Sequence, residues 1–275
     1  MHGFSSGTGG CTNPEAPETK IIYNADDRVL QACAGNVWKA MGPVRYVQHG
    51  AYFDGTNDYL HVNSLTVSDS KQMTGSLWIR PEIDGTFQTI INTELGIEIR
   101  KGDTNNFRIR GWNASGTLIL DMAIGGAVEP VLAGVWRHIL FSFDLSDVSK
   151  AHIYYDDEPY FVNKNVYIDD SIDFTRPDYY VGSNPLLANK MQGDLADVWL
   201  DMGTYIDLSV ESNRRKFINA DEKPVDLGAD GSNPTGTTPD IFLSGDASVL
   251  ACQQRLRWRI HGERLLKCGR RLFRR

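Results

Sequence analysis

Two pairs of carboxylates lie at spacings that could support chemistry. Glu82 and Asp84 are two residues apart behind Pro81, and Glu94 and Glu98 are four apart. Even spacing places side chains on one face of a strand, and two facing carboxylates can serve as nucleophile and acid/base at a glycosidic bond. Against this, Pro81 marks a strand end, and Gly96 suggests a turn that would separate Glu94 from Glu98. No Ser/His/Asp arrangement and no Gly-rich phosphate loop can be found. The residues therefore read as those of a protein that is not an enzyme. Sugar binding asks for less: an aromatic face for the ring, and Asn, Asp or Arg for the hydroxyls. Trp112-Asn113 on a turn, Tyr154-Tyr155 beside Asp156, and Asn184 after Gly182 have the right residue types. Packing is the simpler role for any single one of these aromatics. Trp78, Trp136 and Trp199 sit within apolar alternation and read as core.

The elements that would position these residues are strands. From Tyr46 onward, short β-prone runs alternate with turn residues: Ala51-Tyr52-Phe53, Tyr59-Leu60-His61-Val62, Ser76-Leu77-Trp78-Ile79-Arg80, Ile97-Glu98-Ile99-Arg100 and Phe107-Arg108-Ile109-Arg110-Gly111-Trp112. Further runs surround Trp136 to Phe143, Ile153, Tyr179 and Leu195 to Leu200. Many strands with no helical alternation between them predict an all-β sandwich or barrel. One helix is predicted from Leu208 through Asn219, with Ser209 as its N-cap and Pro224 barring continuation. Ahead of the sandwich, Val29 to Cys33 and Val37 to Met41 flank a Gly35-Asn36 turn and predict a small hairpin. Such a hairpin is marginal alone. A Cys11–Cys33 bridge or a neighbouring chain would support it, although two free thiols in a reducing compartment fit equally.

Composition sets the outer limits. The chain has 275 residues, 41% of them hydrophobic and 23% charged, which suits one large domain and something smaller. Four Cys are too few for a disulfide scaffold of this length, and no spacing among them resembles a zinc site. The net charge of −7 is uneven: residues 251–275 carry eight Arg and one Lys against one Glu, about +8, which leaves about −15 elsewhere. An acidic body argues against a nucleic-acid face. The basic tail could dock on that body, bind an acidic partner, be disordered, or be a frameshifted end without a selected role. No run approaches the apolar length of a membrane span. The Gly/Ser-rich start reads as lacking a secretory signal.

Several motifs then arrive in a familiar order. Tyr52-Phe53-Asp54-Gly55-Thr56-Asn57-Asp58-Tyr59-Leu60 is similar to the opening of concanavalin A-like, laminin G-like domains. Leu77-Trp78-Ile79-Arg80-Pro81 resembles their next core strand. Gly134-Val135-Trp136-Arg137-His138, then Phe141-Ser142-Phe143-Asp144, resemble the central strand, and Gly193-Asp194-Leu195-Ala196-Asp197-Val198-Trp199 the closing one. The resemblance implies a two-sheet antiparallel jelly-roll sandwich of the laminin G/pentraxin type over residues 44–247, with one short helix near the C-terminus. The hairpin module would occupy residues 1–43 and the tail residues 248–275. The three-acid strand of the family's glucanases is absent at Glu82-Ile83-Asp84, which again speaks against catalysis. The resemblance also implies a structural calcium held by Gly55 and Asp58 of the Asp54 turn together with Asp197, although each Asp could equally serve its own loop.

Two flanks point to a setting. Cys11-Thr12-Asn13-Pro14 through Cys33 and Trp38 is similar to a Cys-bounded module of bacterial and phage-type surface proteins, and Asp226 through Gly236 resembles an ending found in tailed-phage structural proteins. The implied protein is a carbohydrate-binding or adhesive module on a phage-like virion or particle, recognising host surface polysaccharide. Its partners would be a cell-surface glycan, other particle proteins through residues 1–43, and copies of itself in a homo-oligomer, with no nucleic acid and no membrane insertion. A purely structural particle protein is the alternative, and a glycoside hydrolase a more distant one.

Overall fold

The computed structural model describes residues 10–11, 15–17, 20–24, 29–34, 36–40, 50–63, 65–124, 131–244 and 259–261. The chain divides into two compact units, Met1–Val47 and Gln48–Arg275. In the first, β1 (Gly10–Cys11) pairs with β2 (Ala16–Pro17), while β3 (Ile21–Asn24), β4 (Val29–Ala34) and β5 (Val37–Ala40) make a three-stranded antiparallel sheet. The expected hairpin is the β4–β5 half of this meander, turned through Asn36 at φ 63°, a left-handed position that Asn tolerates. Cys33 is buried and disulfide-bonded. The expected partner, the Cys11 side chain, lies outside the described residues, as do Cys252 and Cys268.

The second unit is a sandwich of two antiparallel sheets. Its strands are β6 (Gly50–Asp54), β7 (Tyr59–Val62), β8 (Gln72–Pro81), β9 (Gln88–Asn92), β10 (Ile97–Lys101), β11 (Phe107–Trp112), β12 (Leu118–Ile124), β13 (Arg137–Asp144), β14 (His152–Tyr155), β15 (Glu158–Pro159), β16 (Val162–Tyr167), β17 (Tyr179–Val181), β18 (Gln192–Asp201), β19 (Ile241–Leu243) and β20 (Arg259–His261). One sheet runs in the order β16-β12-β11-β10-β9-β17-β7-β20, and the other β15-β14-β13-β8-β18-β19 with β6 also on β18. Three residues of the basic tail thus pair with β7 as an edge strand. The rest of the tail lies outside the described residues.

Alternation explains the layering. Inward residues such as Leu77, Ile79, Ile99, Phe107, Phe141 and Val181 are wholly buried and form one core between the sheets. Strand β18 serves two partners along one edge. Gln192–Ala196 pairs with β6 and Val198–Leu200 with β19, and the register breaks between Ala196 and Trp199. Asp197 stands in that bulge at φ 46°. At the other end of β18, Gly193 has φ 132°, and a Cβ there would lie 2.2 Å from the Arg80 carbonyl oxygen. Only glycine fits such a strand crossing.

The two outer faces differ. On β8 and β13 the outward side chains include Thr74, Ser76, Ser142 and His138, all buried. Residues 202–240 lie over them. Thr74 Oγ1 donates to the Thr204 carbonyl (2.8 Å) and Ser142 Oγ accepts from Ile206 N–H (3.0 Å), so the hydroxyls fasten this cover to the sheet. Ile206, Leu208, Phe217 and Leu227 pack with Trp199, Leu140 and Tyr154 in a second apolar cluster. The expected helix is shorter than predicted: α1 spans Glu211–Arg214. Its N-cap residue is Val210 without a side-chain bond, because Ser209 is held instead by Asp207 Oδ1 through its hydroxyl (2.6 Å) and N–H (3.0 Å). Phe217 and Ile218 then turn inward, where both are buried. No helix among the described residues is long and apolar enough to cross a membrane.

Asp157 of the Asp156-Asp157-Glu158 cluster, which reads in sequence as a solvated loop face, anchors this cover instead. Asp157 receives Arg214 Nε and Arg215 Nη1, each at 2.6 Å. Asp156 receives Arg137 Nη1 and the His138 N–H, each at 2.7 Å. The local sequence could not show that arginines from far along the chain would arrive there.

Candidate functional site

The outer face of the eight-stranded sheet carries charged and polar side chains, several of them buried. Strands β10 and β11 read I-E-I-R and F-R-I-R-G-W, so Glu98, Arg100, Arg108, Arg110 and Trp112 alternate outward while Ile97, Ile99, Phe107 and Ile109 are buried. Directly paired residues on neighbouring strands share a face. The register therefore draws a row across six strands: Asp121, Arg110, Glu98, Asn92, Tyr180 and His61. A second row sets Ala123, Arg108, Arg100 and Thr89 beside it.

The centre of this face is a lattice of guanidinium and carboxylate groups. Arg108 grips Asp121 with two hydrogen bonds, Nε to Oδ1 at 2.6 Å and Nη2 to Oδ2. That grip holds the Arg108 guanidinium above its ordinary pKa, while partial burial works against it. Glu98 meets Arg100 at 3.4 Å and Arg110 at 3.7 Å, and Asp121 also stands 3.8 Å from Arg110 Nε. The Arg100 guanidinium lies 4.9 Å from the centre of the Phe87 ring.

Aromatic rings bound the lattice on two sides. Half-buried Trp112 ends β11 next to Arg110 on the same face. Across the row, Tyr180 stacks on His61 with ring centres 4.5 Å apart, and Tyr59 stands 6.1 Å from Tyr180. His61 Nε2 is 2.8 Å from Asp178 Oδ1. Burial pushes the Tyr180 phenol above its ordinary pKa, with nearby Asp178 adding to it. Flat rings beside planar, charged hydrogen-bonding groups can receive both the apolar face and the hydroxyls of a sugar.

Of the residues singled out from sequence, Glu98 and Trp112 lie on this face. Asn113 is used by its own turn, accepting the N–H groups of Ser115 (3.1 Å) and Thr117 (2.9 Å) and donating to Asp170 (2.8 Å). It fixes the β11–β12 turn behind Trp112. Tyr154 must be reassigned: it is buried in the second cluster with the Arg214 guanidinium 4.5 Å from its ring centre, so neither ring face is open. Asn184 accepts the Ala188 N–H at 2.8 Å in the loop after β17. The register puts that loop at the Gln88–Lys101 end of the sheet, opposite Trp112. The arginine lattice has its own signal in the sequence, charges at period two in adjacent strands.

The residues expected to share a cation do not meet. Asp54 Oδ1 accepts the N–H groups of Thr56 (2.7 Å), Asn57 (3.0 Å) and Asp58 (3.3 Å), and Asp58 Oδ2 accepts that of Asp54 (3.2 Å). Slight burial raises the Asp54 carboxyl, but these N–H bonds outweigh it and hold the group below its ordinary pKa. Gly55 closes the turn at φ 73°. Asp197 sits beyond Ala196, which pairs with Gly50, while Asp54 pairs with Gln192. At strand rise, the two sites stand roughly 15 Å apart along β18. Asp197 Oδ1 accepts the Ser244 hydroxyl at 2.8 Å. Gly55, Asp58 and Asp197 therefore do not fit one metal ion. Among the described residues, no group of three or more His, Cys, Asp or Glu side chains is arranged to hold one.

The carboxylate pairs are likewise apart. Glu82 accepts from Tyr52 (3.1 Å) and Gln192 (3.3 Å), whereas Asp84 accepts the Ala133 N–H (2.9 Å). Glu94 stands in the turn before β10, and Glu98 within that strand.

Comparison with known proteins agrees with this architecture. Residues 54–200, more than half of the chain, match the family model described as the concanavalin A-like lectin/glucanases superfamily. No curated protein is matched by the sequence. Among solved structures, a Bacteroides ovatus protein described as a candidate carbohydrate-binding protein superposes with a TM-score of 0.51 at 16% identity, over 77% of this chain and 55% of that one. The chain thus spans about half the length of that relative. A heptameric SAP-like pentraxin from Limulus polyphemus (TM-score 0.47, 15% identity, 76% and 92% covered) and the LG4-5 domains of mouse laminin α1 (0.41, 13%, 72% and 52%) are also similar.

Proposed function

We propose that this chain, which belongs to the concanavalin A-like lectin/glucanase superfamily, is a glycan-binding module without catalytic activity. Its ligand lies on the outer face of the eight-stranded sheet, along the row from Trp112 and Arg110 to Tyr180 and His61. One observation supports the reading: residues 202–240 pack over one sheet, whereas the outer face of the other sets aromatic rings beside planar charged groups. On this reading Trp112 stacks on a sugar ring, Glu98 accepts from hydroxyls, and Arg110 donates to them. The setting we favour is the surface of a phage-like particle or bacterial cell, supported by the sequence resemblance of residues 11–38 and 226–236.

The test is an array of bacterial and host polysaccharides probed with the full chain. Binding is expected to weaken about tenfold in Trp112→Ala and again in Tyr180→Ala, as loss of a stacking contact at a small interface implies. No reducing sugar should be released from any bound glycan. A folded chain that binds nothing on the array would leave a structural role and end this proposal.

A further inference from the structure

We infer that the glycan recognised by this face is acidic, and that its oxyanion is received between Arg100 and Arg110. This rests on the glycan-binding reading above. Each guanidinium offers five N–H donors. Arg100 makes one hydrogen bond, to Glu98 at 3.4 Å, and Arg110 meets carboxylates only at 3.7 and 3.8 Å. The Nε–H of each is shielded from solvent without an acceptor. Their side chains are 15% and 28% exposed. Half-buried cationic donors without acceptors are costly to keep.

The local charge runs the same way. Arg108 takes both oxygens of Asp121, which leaves Glu98 as the nearest anion to two guanidinium groups. Burial pushes Arg100 below its ordinary pKa; Glu98 opposes this, but Arg110 and Arg108 reinforce it. A carboxylate or sulfate on a sugar would bring two or three acceptor oxygens to donors that now lack them, in the fork geometry arginine prefers. The acidic balance of the rest of the chain, about −15 outside residues 251–275, disfavours a dense polyanion. One isolated charge on a sugar repeat suits the site better than a nucleic acid with a phosphate at every step.

Trp fluorescence or calorimetric titration of the full chain with glucuronate, glucose 6-sulfate and glucose tests this. The charged sugars should bind at least about tenfold more tightly than glucose, as charge-assisted hydrogen bonds imply. The two charged sugars together show whether carboxylate or sulfate is preferred. Arg100→Gln with Arg110→Gln should erase the difference, and Arg100→Lys should reduce it because the planar fork is lost. Glu98→Gln should strengthen binding of the charged sugars severalfold, since it removes the competing anion; a merely structural lattice would not respond in that direction. Equal affinity for glucose and glucuronate, or charged-sugar binding that survives the double variant, overturns the inference. If neutral glycans on the array bind through Trp112 while acidic ones gain nothing, only this inference falls. If no sugar binds in either experiment, the glycan-binding reading falls with it.

Discussion

Replacing Trp199 with alanine should lower the free energy of unfolding by about 3–5 kcal/mol, the usual cost of truncating a fully buried large aromatic. Trp199 has no exposed surface and meets Phe217 edge-on with ring centres 5.1 Å apart. Its indole N–H donates to the Gly231 carbonyl at 2.8 Å. The side chain therefore holds two distant parts of the cover, one by packing and one by a hydrogen bond. Alanine would leave a cavity beneath residues 206–227 and an unsatisfied carbonyl above it. Trp199→Phe, which keeps a ring but loses the donor, should cost less, about 1–3 kcal/mol. Denaturant titration measures both. Amide exchange should quicken in residues 202–240 and stay slow in β10 and β11. A loss below about 1 kcal/mol for the alanine variant would mean that the cover is not packed as described.

Acid should destabilise the protein well before its carboxylates protonate. His138 is wholly buried, and loss of hydration pushes its pKa down to about 3, with Asp157 only partly offsetting this. In the unfolded chain a histidine titrates near 6.5. Between those values the unfolded state binds the extra proton, so stability rises with pH by at most about 1.4 kcal/mol per unit. The contribution is complete above about pH 6.5 and is lost progressively as the pH falls towards 3. His152 is also lowered, by burial first and Lys164 further, against Asp207, and adds to the same window. Asp144 acts lower down: burial raises it, but bonds from Ser146, Gln72 and Lys150 outweigh that and hold it below its ordinary value, so its contribution fades only as the pH falls below about 4. Asp201 and Asp240, raised by burial, act in the opposite sense just above that range. Urea titrations at pH 7, 6, 5 and 4.5 should thus show a falling midpoint. His138→Gln, which can still bond Ser76 Oγ, now 2.8 Å from His138 Nε2, should flatten the trend to what His152 leaves. An unchanged slope in that variant would remove His138 from the account.

Alternation made the fold legible. The I-E-I-R and F-R-I-R runs announce strands with one wet and one dry face, and the Asp54-Gly55 turn and the Gly193 crossing stand where the sequence resemblance puts them. Trp78 and Trp199 are core, as their neighbours imply. Trp136 is only half-buried: it reaches across Gly50, where a Cβ would come within 3.2 Å of the indole, and the Arg80 guanidinium stands 5.5 Å from its ring centre. What stayed hidden is what depends on distant register. Tyr154 could be placed under a cover only by knowing where residues 206–217 come to rest. The lattice around Arg110 exists because Glu98 and Asp121 pair with it from either side, a matter of register between strands. Asp197, which the resemblance offers as a calcium ligand, stands in the bulge of β18, a feature of strand register that no local run of sequence shows.

The strand order also bears on when this protein can fold during its own synthesis. Pro81 of β8 waits for Gly193 of β18, and Val62 of β7 waits for Tyr179 of β17. Neither sheet can close until the chain has been made past residue 200. At ordinary elongation rates, roughly 10–30 s separate the emergence of β6 from that of β18. During this interval β7, β8 and β9 are present on the ribosome with open backbone edges. Topologies so rich in distant pairings form slowly even once complete. The period of greatest vulnerability to aggregation therefore belongs to the nascent chain, and co-expressed chaperones should raise the yield of soluble protein more than any change to the finished surface.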